Sequence, residues 1–393
     1  MQFNALPYNV RHTFKNELKA AMLVGIYGGA LIPFVAIVGR KIGATDLQVA
    51  LLTAAPYLAN AFALLWTEDV FGKGRVWYVV WPNVVGRLLL LGMFFAVSPV
   101  FYTAIIFIYM IITAIPFPSY ASIMKTNYPD DIRGRLMAYI RLGNAVFWIT
   151  SSAVAGWVLE MKTSYYRYLF PVAAVFGVLS ALQFGSVKVL NEKKEKGRFA
   201  GFSLFSGAFR DKAFLRYLLV YSLFEFGLLL SLPLYPLALV DEVHISNFAT
   251  GLFGSIFSGM WLAGFFFWGH FLDRFSARIT LVSVFSLSCL IPLFYILTKD
   301  IYMLAAVQGI AGFMFSAIEL AGYVIITRMT HEGEVARYAA ANIGFGGLRG
   351  AIAPFLGIAL MQAHGAGFVF SISLALGILS CIAGWNVLRR IEA

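Results

Sequence analysis

Apolar runs fill this chain, and short polar segments punctuate them at near-regular intervals. Twelve runs can be marked. The first six lie at about 17–39, 47–67, 76–97, 99–124, 136–159 and 166–187. The second six lie at about 213–238, 248–271, 278–297, 301–327, 336–361 and 366–388. Each reaches the ~20 residues that a helix needs to cross a bilayer. Hydrocarbon offers a backbone amide no partner, so every amide must bond within its own segment. That predicts helices. The runs are continuous rather than alternating, which excludes the ~10-residue strand pattern of a membrane barrel. The expected fold is an all-α membrane protein of twelve transmembrane helices.

One long polar stretch divides the runs into two sets of six. This predicts an N-terminal six-helix bundle over 1–187, a cytoplasmic linker over 188–212 and a C-terminal six-helix bundle over 213–393. The linker core, Asn191 to Arg198, mixes acids and bases and reads as a solvated segment lying over an anionic inner leaflet. The halves also resemble each other in detail. Tyr120 to Arg135 aligns with Gly322 to Arg337: a helix end, an acidic loop and a basic start to the next run recur at equal spacing. Duplicated six-helix units predict a transporter whose site lies where the halves meet.

Composition narrows the function classes. The 393 residues are 60% hydrophobic and 12% charged, with a mean hydropathy of +0.80. A soluble domain carries about 25% charged residues, so little of this surface meets water. A formal charge of +11 would suggest nucleic acid in a soluble protein. In a membrane protein it reflects the enrichment of Lys and Arg in inner loops. With the N-terminus inside, 22 of the 30 basic residues fall on the inner side. Five fall outside (Arg40, Lys41, Lys162, Arg167 and Lys299), and Arg87, Arg141 and Arg349 fall within spans. Both termini are therefore expected to be cytoplasmic. The first run is too long for a signal core and lacks a small-residue cleavage site, so no cleaved leader is expected. Cys289 and Cys381 both lie in apolar runs and read as small core residues.

No catalytic or metal-binding constellation is visible. The five histidines lie near loops without ligand spacing, and no glycine loop ends in Gly-Lys-Ser/Thr. Neither an enzyme, nor a cofactor, nor ATP-driven transport is expected, and nucleic acid is not a partner.

The sharpest local signals follow spans 2 and 8. The first reads Asp69-Val-Phe-Gly72-Lys73-Gly74-Arg75. The second reads Gly269-His-Phe-Leu-Asp273-Arg274-Phe-Ser276-Ala-Arg278. Each sets an acid at a helix end and bases on a tight turn, where the acid can face a neighbouring helix N-terminus. Breakable polar contacts of this kind suit a cytoplasmic latch. At these residues the chain resembles the major facilitator superfamily, whose inner 2–3 loop reads Gly, three residues, Asp-Arg, one residue, Gly, then bases. The second loop matches at Gly269, Asp273, Arg274 and Arg278, with Ser276 in place of a glycine. The first matches at Asp69, Gly72, Lys73 and Arg75, with Leu65 and Val70 in place of Gly and Arg. The resemblance covers the whole chain and implies two bundles that rock about a midplane site, with helices 1, 4, 7 and 10 lining a central cavity. In the family, a glycine and proline pattern in span 5 goes with export. Here Gly143 and Gly156 lie in span 5, whereas the proline, Pro354, lies in span 11, so export is favoured only slightly.

Charges inside the spans are the best functional candidates, because an ion at mid-bilayer costs at least ~3 kcal/mol on insertion scales. At ~1.5 Å per residue, Glu225 lies ~18 Å into span 7, Arg349 ~20 Å into span 11, and Glu319 ~12 Å from the inner end of span 10. The resemblance puts Glu225 and Glu319 on cavity helices. Burial favours the neutral acid and a nearby guanidinium favours the carboxylate, so such groups can take up and release a coupling proton. A permanent Glu–Arg pair that only joins helices is the competing reading. Arg87 and Arg141 read as a structural pairing and an inner-surface snorkel, and Asn60, Asn83, Asn144, Gln308 and Asn342 as interhelical hydrogen bonds.

The N-terminal half would line the cavity with Tyr27 from span 1 and with Tyr109, Thr113, Ser119 and Tyr120 from span 4. Pro116 and Pro118 should kink span 4. Aromatics, hydroxyls and two carboxylates suit a neutral or cationic, partly apolar solute. The expected protein is a monomeric, proton-coupled permease of a bacterial inner membrane that moves a small organic molecule by alternating access. A passive uniporter, a lipid flippase or a transporter-like sensor are the alternatives.

Overall fold

The computed structural model describes residues 6–63, 75–189, 211–329 and 335–392. Among them the chain is helical throughout, without a strand. The first helix, α1 (Tyr8–Leu31), passes through a 3₁₀ turn at Ile32–Phe34 into α2 (Val35–Lys41). Then come α3 (Asp46–Ala63), α4 (Arg75–Leu89), α5 (Pro99–Ala114), α6 (Phe117–Asn127), α7 (Asp130–Met161) and α8 (Tyr166–Phe184). Beyond the linker lie α9 (Lys212–Ser231), the short α10 (Leu234–Leu237) and a π turn at Ala238–Glu242. The long helices α11 (Asn247–Arg274), α12 (Ala277–Leu297), α13 (Ile301–Met329), α14 (Val335–His364) and α15 (Ala366–Glu392) complete the chain.

Among the described residues, ten helical stretches are by themselves long and apolar enough to cross a bilayer. The remaining two spans of the twelve are α3, whose described part ends at Ala63, and the α5–α6 pair. Proline explains the break between α5 and α6: Pro116 brings no amide hydrogen and cannot continue the ladder. Pro33 and Pro233 interrupt spans 1 and 7 in the same way. Span 1 also starts earlier than its apolar run. Helix α1 begins at Tyr8, behind Pro7, whose carbonyl accepts from the Arg11 amide at 3.1 Å. That shift brings Glu17 inside the helix and onto its buried face.

The helices face lipid with their large apolar residues. On α7, Tyr139, Leu142, Val146, Val154 and Trp157 are exposed at helical spacing, while Leu136, Ile140, Ala145, Ser152 and Ala155 are buried. Small residues occupy the inward faces and let backbones approach.

Packing gathers the chain into two compact units. The first contains α1, α2, α4 to α8 and the start of α11 (Ser246–Ser255). The second contains α3, α9, α10, the rest of α11 and α12 to α15. Chain order therefore assigns α3 to one set of helices, and packing assigns it to the other. In the second unit, the face of α14 at Gly350 takes Tyr57 of α3, and Gly357 abuts the Leu230 carbonyl of α9.

In the first unit α7 crosses the start of α11 at two glycines. A Cβ on Gly156 would stand 3.0 Å from the Cα of Gly251, and the reverse holds too. Polar side chains tie the same crossing. Ser152 donates to the Gly251 carbonyl at 2.8 Å, and Ser255 to the Ile149 carbonyl at 2.8 Å. Asn247 donates to the Leu159 carbonyl at 2.8 Å and accepts from Lys41 at 2.8 Å.

Gly156→Val should therefore cost about 1–3 kcal/mol through overpacking and lower the melting temperature in detergent. Gly367→Ala, where an added Cβ meets nothing within 4 Å, should leave it unchanged. A thermal melt of both variants beside the parent protein checks this.

Candidate functional site

In the second unit, α9 and α14 bring two buried ions together. Glu225 and Arg349 form an ion pair between Oε2 and Nη2, with side-chain exposures of 16% and 7%. The guanidinium also donates to Ser222 Oγ at 2.5 Å, one turn earlier on α9. Its carbon lies 5.8 Å from the ring centre of Tyr221. Tyr57 of α3 comes within electrostatic reach of the carboxylate.

A glycine packs against this pair. Gly346 precedes Arg349 by one turn, on the same face of α14. A Cβ there would lie 3.6 Å from Arg349 Nη2 and 3.8 Å from Glu225 Oε2, so only a hydrogen separates the backbone from both ions. The two charges offset each other's desolvation, and the hydroxyl and aromatic face add further contacts to the cation. Glu319 is on α13 and is exposed rather than buried with them.

The first unit holds two separate polar groups. In the N-terminal part of α1, Glu17 is 2% exposed. Tyr120 donates to its Oε1 at 2.5 Å, and Tyr128 donates to its Oε2. Higher on α1, the rings of Tyr27 and Tyr109 meet edge to face with centres 6.3 Å apart. Arg87 of α4 lies over Tyr27 at 5.1 Å and donates to the Gly177 carbonyl of α8. Glycine is needed at 177 because the arginine chain passes there: a Cβ would stand 2.8 Å from Arg87 Cδ.

The residues expected from the sequence are thus distributed over several places. Glu225 and Arg349 come together. Tyr27 and Tyr109 come together, with Arg87 added. Tyr120 turns to Glu17 instead. Thr113 donates back to the Tyr109 carbonyl at 2.9 Å, and Ser119 is fully buried. Asp69, Gly72 and Lys73 lie outside the described residues, as does the side chain of Arg75, although its backbone opens α4. Gly269 has open space around it, while Asp273 and Arg274 end α11 exposed. Arg278 lies over the Trp385 ring of α15 at 4.9 Å.

Glu17, Ser222 and Tyr57 were not singled out from the sequence. Glu17 sits at the edge of the first apolar run between Lys15 and Lys19, where it reads as interfacial. The spacing of Val10, Thr13, Glu17 and Ala20, all buried on one face of α1, is the signal that could have marked it.

Comparison with known proteins settles the family. The Major Facilitator Superfamily model matches the chain over residues 20–237 and again over 217–393. The chain belongs to the major facilitator superfamily. Its fold is shared with the crystal structure of the nucleoside transporter NupG, at a TM-score of 0.75 and 12% identity, covering 95% of this chain and 99% of that one. A bacterial homologue of the human lysosomal transporter Spinster is also similar. Its inward-facing occupied structure gives a TM-score of 0.67 at 14% identity, with 96% of each chain covered. Its unoccupied structure gives 0.65 at 16%, covering 98% of this chain and 94% of that one. No curated protein matches this chain in sequence. Membership makes it an integral, multi-pass membrane transport protein with the twelve-helix fold of the superfamily.

Removing one partner of a buried ion pair strands the other, at a cost of about 3–5 kcal/mol. Arg349→Met and Glu225→Met should each lower the melting temperature sharply. The double variant should recover most of the loss, because it leaves no lone charge. Melts of the three variants in one detergent test the coupling.

Proposed function

We propose that this protein is a proton-coupled secondary transporter that moves a small organic solute by alternating access, with export favoured over uptake. The observation that carries the reading is the Glu225–Arg349 pair, two opposite ions that meet between two apolar spans. While the guanidinium is adjacent, the carboxylate is the favoured form. A conformational step that draws Arg349 away leaves a buried acid that favours protonation. The step that rejoins them expels the proton. Alternation between the two states couples proton movement to the solute, and the gradient is the only cofactor required. In this reading Glu319, exposed on α13, serves as a second carboxylate on the proton's route.

The solute class is a neutral or cationic, partly apolar molecule. Tyr27 and Tyr109 supply an aromatic wall, and Thr113, Ser119 and Tyr120 the span 4 hydroxyls. Nucleosides belong in the test set, because NupG is a nucleoside transporter of the same fold. The bases and acids at Asp273, Arg274 and Arg278, with those near Asp69, form the cytoplasmic latch. The lysine and arginine distribution supports cytoplasmic termini, and the reading is of a monomer in a bacterial inner membrane.

A thermal-shift screen of metabolites identifies a solute, and flux in proteoliposomes then tests coupling. Under an imposed pH gradient the parent protein should accumulate or extrude the solute against its own gradient. Glu225→Gln should lose that gradient-driven movement and keep solute counterflow, which needs no proton. Undiminished proton-driven flux in both Glu225→Gln and Glu319→Gln would leave a passive uniporter.

A further inference from the structure

A partly open pocket lies inside the first unit, and neither Glu225 nor Arg349 lines it. It has a volume of about 300 Å³ and runs between α1, α4, α7 and α8. That is the lower end of the range for small-molecule sites, ~300–1,000 Å³. Its lining is mostly apolar, with a few polar groups at its ends.

Charge along the cavity is uneven. Glu17 and Tyr120 line one end. Arg141 lines the cavity too, within electrostatic reach of Tyr120, so this end carries one acid and one base. Arg87 belongs to the other end. It lies over Tyr27, ten residues along α1 from Glu17, or ~15 Å at a helical rise. Two guanidiniums therefore face one carboxylate.

Arg87 is also incompletely satisfied. It is 9% exposed, in the middle of a membrane span. Its contacts are the Gly177 carbonyl and the Tyr27 ring. Its Nε–H has no acceptor, and no ion pair joins it among the described residues. A buried cation without a counter-charge is costly unless something supplies one. Between the two ends, Ala20, Ala21 and Val24 leave an apolar channel with room for a slender body. Asn83 and Asn144 line the same space but use their amide hydrogens elsewhere, on the Val79 and Ala21 carbonyls.

We propose that this cavity is a binding site for a small organic monoanion. Its carboxylate pairs with Arg87, and its apolar body lies along Ala20, Ala21 and Val24. The site takes one negative charge, because the second guanidinium already faces the Glu17 end. It shares Tyr120 with the wall proposed for the solute, but its lining includes neither Glu225 nor Arg349.

Benzoate serves as the probe, read by thermal shift on the purified full-length protein. Benzamide is the neutral control, and sodium chloride the control for ionic strength. Benzoate should raise the melting temperature saturably, while benzamide and chloride should not. Arg87→Gln should weaken the benzoate response by about tenfold or more. Ala21→Phe, which fills the channel and keeps Arg87, should abolish it, and decides the matter if Arg87→Gln fails to fold. Glu225→Gln should keep the response, which separates this site from the transport reading. Absence of a benzoate response, an equal response to benzamide, or an unchanged response in Ala21→Phe would overturn the proposal. So would stabilisation by oleate with none by benzoate, which would make the space a lipid-tail pocket.

Discussion

Hydrocarbon gives a polar group nowhere to go except another part of the same protein. Outside the proline breaks, the helices satisfy their own ladders, so what remains is the side chains and the few carbonyls that ladders leave free. They are satisfied across helices, and that requires helices close enough to reach. Ser151 donates to the Gly25 carbonyl at 3.0 Å, Tyr102 to Val35 at 2.8 Å and Trp268 to Phe313 at 2.9 Å. Such contacts need small residues on the facing surfaces, and the glycines of α1, α7, α11 and α14 provide them. Close approach and polar pairing are thus one constraint. Remove the small residue and the hydrogen bond goes with it.

The same constraint explains why two arginines of similar burial differ so much. Arg349 reaches a carboxylate, a hydroxyl and an aromatic face. Arg87 reaches a carbonyl and an aromatic face, with Tyr109 in electrostatic reach, and no carboxylate among the described residues. The first is neutralised by the fold itself. The second keeps its charge, and the space beside it, available.

The number and nature of the spans were legible in the sequence because only length and apolarity matter to a crossing helix. The azimuth of each residue was not. In water, a polar stripe shows which side of a helix is outside. Here lipid is as apolar as the interior, so α7 carries Trp157 outward and Ala155 inward with no polar boundary between them. Depth along a span was readable and drew notice to Glu225 and Arg349, which the structure pairs. The Arg349 contact with Ser222 spans 127 residues of sequence, and no local pattern encodes such a meeting. The partners of Tyr120 were hidden for a related reason. Glu17 lies where the apolar run begins, and only the actual start of α1 at Tyr8 shows that it is inside.

The interrupted spans carry one more implication. Pro116 and Pro233 lack an amide hydrogen, so the carbonyls of Ile112 and Leu229 lose their usual donors four residues on. Each accepts instead from the amide three residues later, at 3.4 and 3.3 Å, longer than an ordinary ladder bond. A rod that is already slack at one height bends there for little elastic cost. Spans 4 and 7 are therefore compliant at their midpoints, whereas α13, an unbroken 29-residue helix, is stiff along its length.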